Sequence, residues 1–225
     1  MLSNRKKMIV QARLFAEMGF AGVFFARIDF EEKEERKESR SLQMWWEGGE
    51  AADNSSTIFT GVFDNHYSNP KGFCWDILCE DEPINDDPRL EEYNLDATLL
   101  SFQRYVESHV KFYQDQEHIM FTMGDDFQYM NARMNFKNMD KLIKHMNERS
   151  EETGIHLLYS TPDCYLSAIT SGDQLYPRKA DDFFPYGSGR NSYWTGYFTS
   201  RPATKLQDRL GARDLTVTRQ LGVLR

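Results

Sequence analysis

Hydrophobic positions along the chain alternate between two periods. From Asn94 to Gln114, Leu95, Leu99, Phe102, Val106, Val110 and Tyr113 recur at the 3.6-residue spacing of an amphipathic helix. A second helical face, Met139, Leu142, Ile143 and Met146, lies within Asn138–Glu152, with Asn138 placed to cap it and Gly154 to end it. Lys6–Met18 is a further helix, with Ile9, Leu14 and Phe15 partly on one side. Thr161-Pro162 opens another, because proline at the first helical position loses no needed N–H. Between these, short apolar runs at Gly19–Ile28, Ile58–Phe63, His118–Met123 and Ile155–Tyr159 read as strands. The charge-dense stretch Phe30–Arg40 is a solvated helix or loop. Asn65–Pro88 carries Pro70, Pro83 and Pro88 and is a long loop, of a length that is usually functional. Gly187–Arg190 marks a flexible turn. Strand and helix alternate without tandem repeats, so the expected class is α/β with a mainly parallel sheet.

Composition narrows the function. With 35 acidic against 27 basic residues in 225, the formal net charge of −8 argues against nucleic acid or an anionic membrane surface as partner. No apolar run approaches the roughly 18–20 residues that a membrane span requires. Met1–Phe20 contains Arg5, Lys6, Lys7, Arg13 and Glu17 and does not read as a signal peptide. Asn54-Ser55-Ser56 matches the acceptor pattern for N-glycosylation. Cys74 and Cys79 sit five apart, a spacing that does not establish a bond; Cys164 is the odd cysteine, read as a buried thiol.

The sharpest chemical feature is Met123–Tyr129, MGDDFQY, which puts Asp125 and Asp126 straight after an apolar run. At the C-terminal end of a strand such residues are well placed for catalysis. Adjacent buried acids also repel, which raises the pKa of one and leaves the other ionised. The alternative is a turn or helix cap with two exposed acids. The five histidines, His66, His109, His118, His145 and His156, form no metal-binding spacing, and those on helices read as surface or internally satisfied residues. No glycine-rich phosphate loop occurs.

MGDDFQY is followed by DDFFPYGSGRNSYWTGYFTSRP (Asp181–Pro202) and preceded by MGFAGVFFARIDF (Met18–Phe30). NPKGFCWDILC (Asn69–Cys79) and LLYSTPDCYL (Leu157–Leu166) fall in the same order. Together they resemble the N-terminal catalytic domain of glycoside hydrolase family 38, the retaining, zinc-dependent α-mannosidases, and most closely the lysosomal type. The resemblance runs from about Leu14 to Arg209, so residues 1–225 read as an internal part of that domain. It implies an incomplete seven-stranded β/α barrel and a lysosomal or secretory setting. The partners it implies are mannose-containing glycans and the remainder of a mannosidase chain.

By this resemblance Asp126 is the general acid/base and Asp125 a neighbour that tunes it or binds a sugar hydroxyl. Arg27 lies beside nucleophile and substrate, with a surface salt bridge as the plainer alternative. Tyr67 lies close to the reacting sugar. Trp194 stacks on the mannose face, with core packing as the alternative. Cys74 and Cys79 pair as a small disulfide.

The family's His-x-Asp segment, its WxIDPFGHS nucleophile motif and its His-His-Asp segment do not occur in the sequence, which opens MLSNRKKMIV. Asp29 in ARIDF is no substitute for the nucleophile. Zinc is therefore implied for the parent family with no metal ligand in this chain, and the isolated chain is expected to be inactive. Ala21, Ala26 and Asn135 depart from the family's usual Asp, Gly and Trp. Two readings follow: a segment of an α-mannosidase, or a non-catalytic remnant that keeps a surface for sugar binding or protein contact.

Overall fold

A computed structural model describes residues 6–48 and 56–223, so Asn54 and its acceptor pattern lie outside the described residues. Among the described residues eight helices and six strands follow one another. They are α1 (Lys6–Glu17), β1 (Gly22–Phe25), α2 (Phe30–Glu38), β2 (Gln43–Glu47), β3 (Thr57–Val62), α3 (Leu95–Val110), α4 (Ala132–Glu148), α5 (Ser150–Thr153), α6 (Pro162–Thr170), β4 (Arg178–Lys179), β5 (Gly187–Gly189), β6 (Ser192–Tyr193), α7 (Gly196–Thr199) and α8 (Pro202–Val223). The class is mixed α/β.

The main sheet has the order β1-β3-β2-β4. β1 runs parallel to β3 with Gly22 opposite Phe59 and Phe25 opposite Val62, and β2 runs parallel to β4. The central pair β2–β3 is antiparallel, so two of three pairings are parallel. β3 is buried from Ile58 to Val62 and sends alternate residues to opposite faces. Ile58 and Val62 join Ala12 of α1, Ile28, Trp46 and Phe183 on one face. Phe59 joins Tyr165, Leu166 and Ile169 of α6 on the other, with Trp45 and Tyr176 edge-on to its ring at 5.3 and 5.0 Å. Gly61 lies opposite Phe24, whose ring occupies the space a Cβ would need. A third cluster unites Phe73, Trp75 and Ile84 of the long loop with α3 and α4.

Several expectations are corrected. His118–Met123 and Ile155–Tyr159 form no strand, since no described strand pairs with either to complete a ladder. Leu157 instead exchanges both backbone bonds with the Asn147 side chain, at 2.7 and 2.8 Å. Asn138 does not cap α4, which starts at Ala132. It sits buried inside the helix, taking the Ile84 N–H at 2.8 Å and donating to Met134 O. Gly187–Gly189 is a hairpin strand paired with β6 rather than a free turn. Cys164 is exposed, on the solvent side of α6. β2, QMWWE, is a largely buried central strand that the apolar runs named above do not include.

Other expectations hold. Thr161 caps α6, accepting from Cys164 N with Pro162 in the first turn. Gly154 ends α5 at φ 68°. His145 is satisfied by Asp86 and Glu148, and His109 by Tyr105 O. No described helix is long and apolar enough to cross a membrane.

Two predictions follow from this packing. Phe59 is fully buried, so Phe59→Ala is expected to cost about 3–5 kcal/mol of unfolding free energy, measured by urea titration. Asp86 takes hydrogen bonds from Lys141 (2.7 Å) and His145 (3.2 Å), Lys141 having the larger effect, and its carboxyl is held down to about 2 from the ordinary 3.8. A carboxyl depressed on folding contributes stability above 3.8 that is lost as pH falls through about 2. Asp86→Asn should therefore destabilise by about 1 kcal/mol at neutral pH, with the gap closing in melts taken from pH 4 down to pH 2. A pH-independent gap would refute this account.

Candidate active site

The site forms where the chain leaves the parallel strands β1 and β3 at the same sheet edge. Phe63 N bonds Phe25 O at 3.0 Å, carrying the pairing one residue past the ladder. Beyond it, Arg27 follows β1, and His66 and Tyr67 follow β3. Arg27 Nη2 donates to Tyr67 Oη at 2.9 Å, and Tyr67 Oη donates to Asp126 Oδ1 at 3.1 Å. Arg27 Nε donates to His66 Nε2 at 3.4 Å, a long bond. The guanidinium is walled by three rings, with Tyr67, Tyr186 and Trp194 centroids 5.6, 5.4 and 5.2 Å from its central carbon. Stacked rings around a fixed guanidinium leave its planar fork pre-oriented for oxygen acceptors.

Trp194 stands at the end of the β5–β6 hairpin, its Nε1 donating to Ser188 Oγ at 3.1 Å. Tyr186 packs against it at 5.4 Å. Trp194 is 42 % exposed, so it is a wall of this surface and not a core residue.

The two aspartates lie in an exposed turn, not at a strand end. Burial therefore does not separate them. Asp125 accepts from the Asp126 N–H at 2.7 Å, and its carboxyl is held below the usual range chiefly by the Ser68 hydroxyl, with that N–H and the charge of Arg27 adding to it. Asp125 is thus an ionised partner.

The turn is fixed from behind. Cys74 and Cys79 form a disulfide with Cα atoms 5.8 Å apart. Gln128 donates to Cys74 Sγ at 3.0 Å and accepts from Asn69 at 2.9 Å, tying the acidic turn to the loop that carries Tyr67. Buried Asp76 accepts the Tyr129 N–H at 2.8 Å, the main reason its carboxyl is held low. Phe127 and Tyr129 both adopt left-handed backbone at φ 62° and 68°, which this bracing sustains.

With this geometry in view, the comparisons with known proteins are specific. The model of the glycosyl hydrolases family 38 N-terminal domain matches residues 9–189. The chain belongs to glycosyl hydrolase family 38. It is 45 % identical over 213 residues to the lysosomal alpha-mannosidase of Cavia porcellus, covering 94 % of this chain and 21 % of the relative. Against the Homo sapiens lysosomal alpha-mannosidase the identity is 42 % over 216 residues, covering 95 % and 21 %. Against the Canavalia ensiformis alpha-mannosidase it is 43 % over 188 residues, covering 84 % and 19 %. The chain spans about a fifth of the length of these relatives.

Family 38 membership frames what the cluster holds and lacks. It unites Arg27, Tyr67, Asp125, Asp126 and Trp194. Among the described residues no three of His, Cys, Asp and Glu converge as metal ligands. His66 turns its Nε2 to Arg27, and Asp126 gives Oδ1 to Tyr67. The described residues at this cluster therefore do not fit a zinc site. Asp29 caps α2 through Glu31 N and Glu32 N, so its carboxylate has a local structural task. A groove of about 820 Å³, lined by Asp29, Glu32, Arg36, Lys179 and Tyr193 among others, contains none of the five site side chains. His66, Tyr186 and Gln128 were not singled out from sequence. Tyr186 and Gln128 lie inside family-like segments, before Trp194 and within MGDDFQY, whereas nothing in spacing marks His66.

The bracing can be tested directly. Replacing Cys74 and Cys79 by Ser is expected to cost about 2 kcal/mol for so short a loop. Hydrogen exchange at Gln128 and Tyr129 should also speed up; protection unchanged at both would show that the disulfide does not hold the turn.

Proposed function

We propose that this chain supplies the acid/base side of a retaining α-mannosidase that hydrolyses terminal α-mannosyl residues of glycoprotein glycans in a lysosomal setting. The observation that carries the reading is the hydrogen-bond chain Arg27–Tyr67–Asp126 beneath the Tyr186 and Trp194 rings. In the first half of the reaction Asp126 protonates the leaving glycosidic oxygen. In the second it takes a proton from the attacking water. Tyr67 occupies Oδ1, which leaves the other carboxylate oxygen to carry that proton. Arg27 holds Tyr67 and offers its remaining N–H groups to sugar or carboxylate oxygens. Asp125, kept ionised, receives sugar hydroxyls, and the flat face of Trp194 meets the C–H face of mannose.

A retaining mechanism also needs a second carboxylate as nucleophile. That group, and the zinc of the family, are assigned to segments of the relatives that this chain does not span. In the same reading the sheet β1-β3-β2-β4 belongs to the seven-stranded β/α barrel of the family. The chain corresponds to part of the N-terminal catalytic domain.

The test is a chimera in which this chain replaces its counterpart in the human lysosomal enzyme, assayed on a chromogenic α-mannoside beside the isolated chain. The isolated chain should show no turnover. In the chimera, Asp126→Asn should lower kcat by roughly 10²–10⁴-fold, less for substrates whose leaving group needs no proton. Turnover retained by Asp126→Asn would remove Asp126 from the acid/base role. A folded chimera that binds mannosides without turnover would favour a non-catalytic sugar-binding remnant.

A further inference from the structure

We propose that His66 is a positioning residue for the acid/base group: as a neutral imidazole it accepts the Arg27 Nε–H, packs on Tyr67, and so locks the Arg27–Tyr67–Asp126 chain in one geometry. The catalytic part of this inference rests on the reading of Asp126 given above; the lock itself does not. His66 lies 39 residues from Arg27 in sequence and meets it at 3.4 Å. Its ring is 4.0 Å from that of Tyr67 and 6.5 Å from that of Tyr186. One side chain therefore touches both the guanidinium and the phenol that pass the hydrogen bond to Asp126.

The backbone shows that this placement is imposed by its surroundings. His66 has φ 55°, in the left-handed region that glycine takes freely and a side chain takes at a cost. Such residues persist where neighbouring contacts over-determine them, and they gather at functional sites.

The chemistry requires a particular protonation state. A guanidinium has no acceptor, so Nε2 must be unprotonated to receive the Arg27 Nε–H. The groups around His66 favour that state. Burial lowers its pKa from 6.5 most, followed by Lys33 from α2 and Arg27, against smaller opposite effects of Asp125 and Asp126 from the acidic turn. Lys33 is itself anchored, donating to Ala26 O at 2.6 Å in the residue before Arg27. Protonating His66 would add a third cation beside Arg27 and Lys33 and remove the acceptor. The sign follows: the lock holds above the folded pKa of His66, which lies below 6.5, and opens as pH falls through it.

Two measurements test this. In the full chain with labelled histidines, NMR should find His66 as the Nδ1–H tautomer with a midpoint below 6.5, and both Arg27→Gln and Lys33→Met should raise that midpoint. An Nε2–H tautomer, or a midpoint indifferent to Arg27→Gln, overturns the lock. In the chimera, His66→Gly, which suits the backbone and cannot be faulted for strain, should lower kcat about tenfold with little change in KM. His66→Gln, an acceptor that does not titrate, should restore most of kcat and flatten the acidic limb of its pH profile. Unchanged kcat and profile in His66→Gly overturn the catalytic role. If the unsubstituted chimera shows no turnover, the mannosidase reading fails while the tautomer still decides the lock.

Discussion

The parallel register of β1 on β3 is the constraint from which the site derives. With Phe25 opposite Val62, both strands run out at the same edge, and the next residues of each, Arg27 and His66-Tyr67, are delivered within hydrogen-bonding distance. A one-residue slip would turn every β3 side chain to the other face. Phe59 would then leave its aromatic cluster for the α1 side, and Ile58 and Val62 would lose theirs. The two clusters thus hold the register, and through it the separation of Arg27 from Tyr67. Core packing and site geometry are in this sense one property.

The acidic turn reaches the same place by another route. It has no strand beneath it, so its position comes from cross-links: the disulfide, the Gln128 bridge from the sulfurs to Asn69, and Asp76 under Tyr129. The residues that hold the turn lie in the long loop that also carries Tyr67. A displacement of that loop therefore moves Tyr67 and Asp126 together. Polar contacts, rather than burial, also distinguish the two carboxyls, since Ser68 and a backbone N–H keep Asp125 ionised in an exposed setting.

What could be read from sequence alone follows from how local each signal is. The Leu95–Leu99–Phe102 face, the Thr161-Pro162 start and the Gly154 stop depend on a few neighbouring residues, and the structure carries all three. A strand depends on a partner that the run itself does not specify. Ile58–Phe63 found two and His118–Met123 none, though both are equally apolar. Asn138 shows the same limit for polar groups. The chemistry that suits a cap serves equally well to bridge a buried helix to the Ile84 backbone. At the site, Arg27, Tyr67, Asp126 and Trp194 were legible through the order of family-like segments. His66 was not, because its role depends on a contact across 39 residues and on a backbone angle, neither of which leaves a spacing pattern.

The charge-dense helix α2 is solvent-facing as its composition predicts, with every residue at least partly exposed. Lys33, half-exposed like Glu32 and Arg36, ties it to the chemistry. Its ammonium is drawn toward the Ala26 carbonyl, and burial pulls its pKa down to about 8, with Lys37 acting in the same sense and Asp64 opposing it. Burying a cation beside Arg27 is costly unless an anion is close. Asp64 offsets part of that cost and is itself held by Tyr113 at 2.7 Å, just beyond the end of α3. A run of residues that composition alone assigns to the surface thus fixes the peptide preceding Arg27. Tyr113, just past α3, in turn fixes the carboxylate that eases that burial. Fold and electrostatics meet at Asp64, whose position comes from β3 and whose charge is spent on the site.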